Sequence, residues 1–176
     1  TLFSVGFAVF WGPMPAYLVA NGVNDGTAFL LFLVGNVGSA VTYGRVAPVA
    51  ARAGVGPTQV AALGARVVLF PAVGVIGGLA GGAVVLAACF ALIGVTWAII
   101  AVTTASLVTR LATATERGDA FGLQAALAGV GTGVGSVGGG LIATRVGYLA
   151  TFTAAAAAVL FGAVLALVVG ANGDST

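Results

Sequence analysis

Composition and charge exclude most soluble functions for this chain of 176 residues. Hydrophobic residues make up 60% of it and charged residues 6%, whereas soluble domains average roughly 45–50% apolar and about 25% charged. Four acidic and six basic residues cannot cover a water-facing surface, so the solvent of this protein is lipid. The net charge of +2 offers no basic patch for nucleic acid, and we expect no nucleic-acid partner.

The residue inventory also argues against catalysis and metal chemistry. Histidine is absent and Cys89 is the only cysteine, so the sequence has no ligand cluster for a transition metal. Lysine is absent as well, and with it the ATP-binding loop G-x-x-x-x-G-K-[ST]. A rhomboid-type protease needs a histidine beside its serine, and an aquaporin needs two Asn-Pro-Ala motifs. We therefore predict a protein that is not an enzyme and that uses no cofactor or metal.

Six apolar segments are long enough to cross a membrane, because a spanning helix needs about 20 predominantly apolar residues. Glycine, proline and charged residues separate these segments. The predicted helices cover residues 2–20, 27–44, 58–77, 83–108, 120–143 and 149–170. The sequence thus predicts an all-α membrane protein, with residues 1–176 forming a single six-helix transmembrane bundle.

Arginines predict the orientation of the bundle, because cytoplasmic loops of membrane proteins carry the excess of Lys and Arg. Arg45 and Arg52 fall in the second predicted link, and Arg110 and Arg117 fall in the fourth. Arg145, in the fifth link, is the one loop arginine on the opposite side. Both ends of the chain are therefore expected on the cytoplasmic side of the cell membrane.

The fifth predicted helix is rich in glycine. Gly131, Gly135 and Gly139 stand four residues apart, and small residues at this spacing let helix backbones approach closely in lipid. We expect a tight packing seam; the alternative is a gate helix that slides or bends.

Four side chains fall near the middle of their predicted spans: Trp11, Asn36, Trp97 and Thr132. Polar groups at this depth are costly in hydrocarbon and usually face the bundle interior or a cavity. We predict that the four line a substrate cavity. An interhelical hydrogen bond is the alternative for Asn36, simple packing is the alternative for the two tryptophans, and a threonine often bonds only its own helix.

Arg66 is the only charged residue well inside a predicted span. It lies close enough to the cytoplasmic start of its helix for the guanidinium to reach the headgroups. We expect this snorkelling conformation rather than a buried ion pair, and we expect Arg66 to lie outside the substrate cavity. Gln124, about one turn inside its helix, is expected either at a gate or at the membrane interface.

Two segments carry a resemblance to a known family. The segment 116–123, ERGDAFGL, leads into the glycine run 131–140 and then into 147–148. This order is similar to the link between helices ten and eleven, and to the glycine-rich helix eleven, of major facilitator superfamily transporters. The segment 44–54 looks like a worn copy of that family's loop between helices eight and nine, where Asp-Arg-x-Gly is usual, with Ala51 in place of the Asp.

The chain as a whole resembles helices seven to twelve, the C-terminal half of a twelve-helix major facilitator fold. The resemblance implies a secondary transporter that moves a small solute by alternating access, with a preceding six-helix half as its partner. It also implies a cytoplasmic gate, for which the candidates are Arg52, Arg117, Asp119 and Gln124. Asp119 is placed to cap the fifth predicted helix as well. The competing functions are a non-transporting six-helix assembly subunit and a channel subunit.

Overall fold

The computed structural model describes residues 2–77, 79 and 82–173, and within this part of the chain the secondary structure is helical. The helices are α1 (Leu2–Trp11), α2 (Met14–Ala20), α3 (Asp25–Ala53), α4 (Val55–Ile76), α5 (Gly82–Leu111), α6 (Arg117–Arg145) and α7 (Tyr148–Gly173). Because α1 and α2 together make one broken span, the described residues contain six spans long and apolar enough to cross a membrane. The architecture is that of a multi-pass helical membrane protein, as the sequence predicts.

Two prolines divide the first span. Proline has no N–H and its ring clashes with the preceding helical turn, so α1 ends at Trp11 before Pro13, and α2 begins at Met14 with Pro15 in its first turn. Trp11 is therefore the last residue of α1, next to the break in the first span. Pro71 has a milder effect, because α4 continues through it.

Helix α3 is longer than predicted, reaching Ala53 where the sequence predicts an end at 44. The predicted link 45–57 shrinks to Gly54, whose φ of +89° is a conformation that suits glycine. The prediction was wrong because hydropathy marks the limit of the hydrocarbon and not the end of the helix. Arg45 and Arg52 interrupt the apolar run, yet both are compatible with a helix that continues into the headgroup region.

The helix contacts between the first three spans and the last three are symmetric. One unit consists of α1 with α2, α3 and α4, and the other consists of α5, α6 and α7. The extensive contacts pair α3 with α5, α6 with α1, α4 with α5, α7 with α1, and α4 with α7. Exchanging α1 for α5, α3 for α6 and α4 for α7 returns the same set of pairs. Because each unit has an odd number of spans, the two units cross the membrane in opposite directions.

The glycine seam of α6 packs against α1. Gly131, Gly135 and Gly139 are buried, and a β-carbon on Gly139 would stand 2.7 Å from the carbonyl oxygen of Val9. The intervening Gly133 has open space around it. The spacing of four residues therefore marks a single packed face, which is the close helix contact that the sequence predicts.

Candidate functional site

A cavity of about 190 Å³ lies between α1, α3, α4 and α5, so helices of both three-span units contribute to it. We call it the central cavity. Its aromatic and polar lining residues are Phe7, Trp11, Phe32, Phe90, Trp97, Asn36, Ser39 and Arg66. Arg66 lies about 16 Å along α4 from Val55 at 1.5 Å per residue, close to the middle of a hydrocarbon core about 30 Å thick. The central cavity is therefore at mid-membrane depth.

Three of the four residues predicted from their depth meet at the central cavity. Trp11, Asn36 and Trp97 line it, whereas Thr132 is exposed on α6 and is not one of its lining residues. The amide nitrogen of Asn36 donates to the carbonyl oxygen of Phe32 at 2.9 Å, within its own helix. The amide nitrogen of Asn36 therefore does not make the interhelical hydrogen bond that was the alternative interpretation of this residue.

Arg66 lies in the wall of the central cavity, and the expected snorkelling conformation is wrong. The side chain is fully buried, with 0% of its surface exposed. Helix α4 begins at Val55 rather than at 58, which places Arg66 deeper than predicted. The side chain also crosses to α5 instead of running along its own helix toward the headgroups, so counting residues from the end of the span predicted the wrong environment.

Neutral groups of α5 accept the hydrogen bonds of this guanidinium. Its Nε donates to the hydroxyl oxygen of Thr96 at 3.1 Å, and its Nη2 donates to the carbonyl oxygen of Ile93 at 3.0 Å. The Thr96 hydroxyl itself donates to the same Ile93 carbonyl at 2.9 Å. These three bonds fix the guanidinium without neutralising its charge.

Aromatic rings surround the charge. The guanidinium carbon of Arg66 lies 5.3 Å from the ring centre of Phe3, 5.6 Å from those of Phe7 and Phe70, and 5.9 Å from that of Trp97. A cation within about 6 Å of an aromatic ring is attracted by the ring quadrupole. The rings stabilise Arg66 in part and leave its positive charge in place.

Two N–H donors at the central cavity have no partner among the described residues: Arg66 Nη1 and Trp11 Nε1, both buried. The residues that line the cavity include no Asp or Glu. The described acidic residues, Asp25, Glu116 and Asp119, are exposed. The wall of the central cavity therefore contains a buried positive charge that has no counterion among the described residues.

A second cavity, of about 570 Å³, adjoins the central one. We call it the end cavity, because it lies where α1, α4 and α6 begin. Gln59 donates to the hydroxyl oxygen of Thr104 at 3.0 Å on its wall, and the buried side-chain oxygen of Gln124 there has no partner among the described residues. Trp97 lines both cavities, so the two meet at this indole.

No family model, curated protein or solved structure matches this chain. Within the described ranges, no group of three or more His, Cys, Asp and Glu side chains is placed to bind a metal ion. Function is therefore inferred from the cavities and from the helix arrangement.

The remaining gate candidates lie at the same end of the bundle as the end cavity. Arg52, Arg117 and Asp119 are exposed there. The expectation that Asp119 caps its helix is wrong: α6 begins at Arg117, its N-cap residue is Glu116, and no side chain caps it. Glu116 instead accepts a hydrogen bond from the Thr113 hydroxyl at 2.6 Å. Asp119 still lies in the first turn, where a carboxylate interacts favourably with the helix dipole.

The cavity-wall residue that sequence reasoning missed is Arg66. A signal was present, because Arg66 and Thr96 both lie deep in their predicted spans, and a charged and a hydroxyl group at one depth can pair across helices. The same criterion of shared depth selected Trp11 and Trp97. If snorkelling is not assumed, the criterion of shared depth also selects Arg66.

Proposed function

We propose that this chain is one half of a secondary transporter of the major facilitator type, and that the central cavity binds a small solute during alternating access. The observation that carries the proposal is the position of the central cavity, at mid-membrane depth between two three-span units. Sites in transporters of this kind lie near the bilayer midplane at the interface between repeats. Polar groups at this depth are costly and are therefore a mark of function.

The repeated helix contacts support the same proposal. Inverted repeats of three helices are nested within each six-helix half of major facilitator transporters. The contacts of this chain map onto themselves when its two units are exchanged, and the units run in opposite directions. Two three-span units related in this way are what the proposed fold requires.

The outer faces of α3 and α6 are the surfaces on which a second half would dock. Both faces expose apolar side chains, such as Val37, 52% exposed, and Val134, 62% exposed. Asn36 and Thr132 are exposed beside them at mid-span. An amide and a hydroxyl facing lipid at this depth would be costly, so a protein surface is the more favourable neighbour. A second half placed there would bring Thr132 to the cavity.

Aromatic packing between the two cavities supplies a barrier for alternating access. The rings of Phe7 and Trp97 are 4.8 Å apart between centroids, and those of Phe3 and Trp97 are 6.1 Å apart. A transporter must open and close such a barrier, whereas an open channel has none. A non-transporting assembly subunit, the other competing function, has no need of a buried cavity with unpaired donors.

Accessibility of the central cavity from the two membrane faces tests the proposal. In the full-length protein carrying Cys89→Ser, the Asn36→Cys variant reports on the cavity, and the Ala157→Cys variant, exposed at mid-depth on α7, is the matched control. An impermeant methanethiosulfonate reagent is applied to right-side-out and to inside-out vesicles. The cysteine at 36 is expected to react from both faces and the cysteine at 157 from neither.

Two results would contradict the transporter. Protection of the cysteine at 36 from both faces would indicate a static assembly subunit, and ion conductance in planar bilayers would indicate a channel. Proteoliposomes test the half-transporter separately, with radiolabelled amino acids, monosaccharides and monocarboxylates. The full-length protein is expected to show saturable uptake and residues 1–176 alone none, because the wall supplied by the second half is missing.

A further inference from the structure

The central cavity contains a positive charge for which the described residues provide no counterion. Among the described residues, Arg66 donates only to a hydroxyl and a backbone carbonyl, and its Nη1 has no partner. Trp11, in the same cavity wall, has a second buried donor, its Nε1, without a partner among the described residues. A buried charge without an opposite charge is strongly unfavourable, and so is a buried donor without an acceptor. An acceptor that carries a negative charge would give Arg66 both a counterion and a hydrogen-bond partner.

We propose that the central cavity binds the anionic group of its solute, with a carboxylate as the simplest case, and that Arg66 is the residue that binds it. This inference rests on the proposed transport function and specifies the chemistry of the solute. A guanidinium matches the geometry of a carboxylate, and charge-assisted hydrogen bonds are among the strongest in proteins. The cavity of 190 Å³ has room for about six water molecules at roughly 30 Å³ each, enough for such a group.

The rest of the wall selects the remainder of the solute. Phe7, Phe32 and Trp97 present aromatic surface to the central cavity, and the larger end cavity continues beyond the indole of Trp97. An inorganic anion would leave this apolar surface unused. The structure therefore fits a small amphipathic organic anion, with its charged group at Arg66 and its apolar part against the aromatic rings.

The first experiment measures equilibrium binding of three probes of the same size to the purified full-length protein: benzoate, benzamide and benzylamine. Benzoate is expected to bind at least tenfold more tightly than the neutral amide and the cationic amine. Arg66→Gln is expected to weaken benzoate binding by about ten- to a hundredfold, as loss of a hydrogen bond to a charged group does. Arg145→Gln removes the same charge from an exposed position and is expected to leave binding unchanged.

Equal affinity for benzoate and benzamide, or benzoate binding that survives Arg66→Gln, would overturn the proposal; a cavity filled only with water gives this result. The proposed transport function has its own test in the reaction of the cysteine at 36 and in solute uptake. A protein that transports neutral solutes and does not bind benzoate would be a transporter without an anion site. Failure of the anion proposal can therefore be told apart from failure of the transport proposal.

The second experiment measures thermal unfolding without ligand and separates a solute from a carboxylate of the protein itself. If Arg66 awaits a solute anion, Arg66→Gln removes an unpaired buried charge, so the Tm is expected to stay the same or rise. Benzoate is expected to raise the Tm of the wild type and not that of the variant. If a carboxylate from another part of the protein pairs with Arg66, benzoate finds no unpaired charge and leaves the Tm of the wild type unchanged, which would overturn the proposal.

Discussion

Arg66 and Thr96 face each other across α4 and α5, and the guanidinium Nε donates to the threonine hydroxyl oxygen at 3.1 Å. The hydroxyl has a single hydrogen, which it donates to the Ile93 carbonyl at 2.9 Å, so it meets Arg66 as an acceptor. Thr96 therefore fixes the plane of the guanidinium. With Nε and Nη2 bonded to α5, Nη1 is the guanidinium nitrogen without a partner among the described residues.

Thr96→Val tests Thr96 as a positioning residue. Valine has the shape of threonine and lacks the acceptor, so the guanidinium loses one of its two anchors on α5. We expect benzoate binding to weaken by about two- to tenfold, the range for one hydrogen bond of about 0.5–1.5 kcal/mol. The preference for benzoate over benzamide should fall with it, because only the anion depends on the direction of the guanidinium. Equilibrium binding of both probes measures the two quantities.

Thr103→Val is the matched control for this substitution. Thr103 lies on the same helix and is fully buried, at 0% exposure. Its hydroxyl donates to backbone carbonyls of α5, and the nearer of these is that of Ile99 at 2.7 Å. It has no hydrogen bond to Arg66, so benzoate binding should be unchanged. An equal loss of affinity in both variants would show that the effect of Thr96→Val does not come from its hydrogen bond with Arg66.

Asn36 and Trp97 are expected to contribute to solute binding in different ways. Asn36→Ala removes a neutral polar group from the cavity wall and should weaken apparent affinity by roughly two- to tenfold. Trp97→Ala should weaken it more, because the indole contacts Phe7, faces Arg66 and lines both cavities. Concentration-dependent uptake by the full-length protein in proteoliposomes measures both effects.

Folding has to be separated from binding in these two variants. Phe161→Ala removes an aromatic ring that is 58% exposed on α7, and it should leave affinity at the wild-type value. All three variants should elute from size-exclusion chromatography as the wild type does. Two results would show that both residues serve only in packing. One is unchanged uptake kinetics in Asn36→Ala and Trp97→Ala, and the other is a loss of activity that occurs only through aggregation.

The spans were predictable because lipid imposes a length and a composition that single residues cannot override. Depth along a span is also readable from sequence, and it identified Trp11, Asn36 and Trp97 as cavity residues. The ends of helices were less predictable. Arg45 and Arg52 stop the apolar run while α3 continues to Ala53, since charge sets where hydrocarbon ends and not where hydrogen bonding ends.

The direction of a side chain was not predictable from depth alone. Arg66 was expected at the headgroups, and Thr132 in the cavity. Which face of a helix meets its neighbours depends on the packing of α4 on α5 and of α6 on α1, and two adjacent positions on one helix differ by about 100° in direction. Thus Gly131 is buried and Thr132 beside it is exposed.

The orientation in the membrane is a further prediction, based on Arg45, Arg52, Arg110 and Arg117. Single cysteines at Ala51, Ala114 and Val146 in the full-length Cys89→Ser background report on it, because all three positions are exposed at the ends of spans. An impermeant maleimide added to intact cells should label only the cysteine at 146. Labelling of the cysteine at 51 or at 114 in intact cells would show that the orientation is the reverse of the predicted one.

The contact between α3 and α5 depends on two glycines. The carbonyl of Gly35 occupies the space that a β-carbon on Gly94 would need, and a β-carbon on Gly38 would stand 2.7 Å from the carbonyl oxygen of Ala91. Backbone atoms cannot rotate away as a side chain can. The two helices therefore approach at a distance that only glycine permits, and this contact forms one side of the central cavity.

Gly94→Ala is expected to destabilise the full-length protein by about 1–3 kcal/mol, the range for overpacking a well-packed interior, and toward the upper end because the obstacle is backbone. Gly64→Ala is the matched control: it adds the same methyl group within α4, where a β-carbon meets nothing within 4 Å, and alanine favours a helix over glycine by about 0.8–1.0 kcal/mol. Thermal unfolding in detergent should give a lower Tm for Gly94→Ala and an unchanged or higher Tm for Gly64→Ala. Equal Tm values for the two variants would mean that α3 and α5 can separate without loss of stability, and that the wall they form is not rigid.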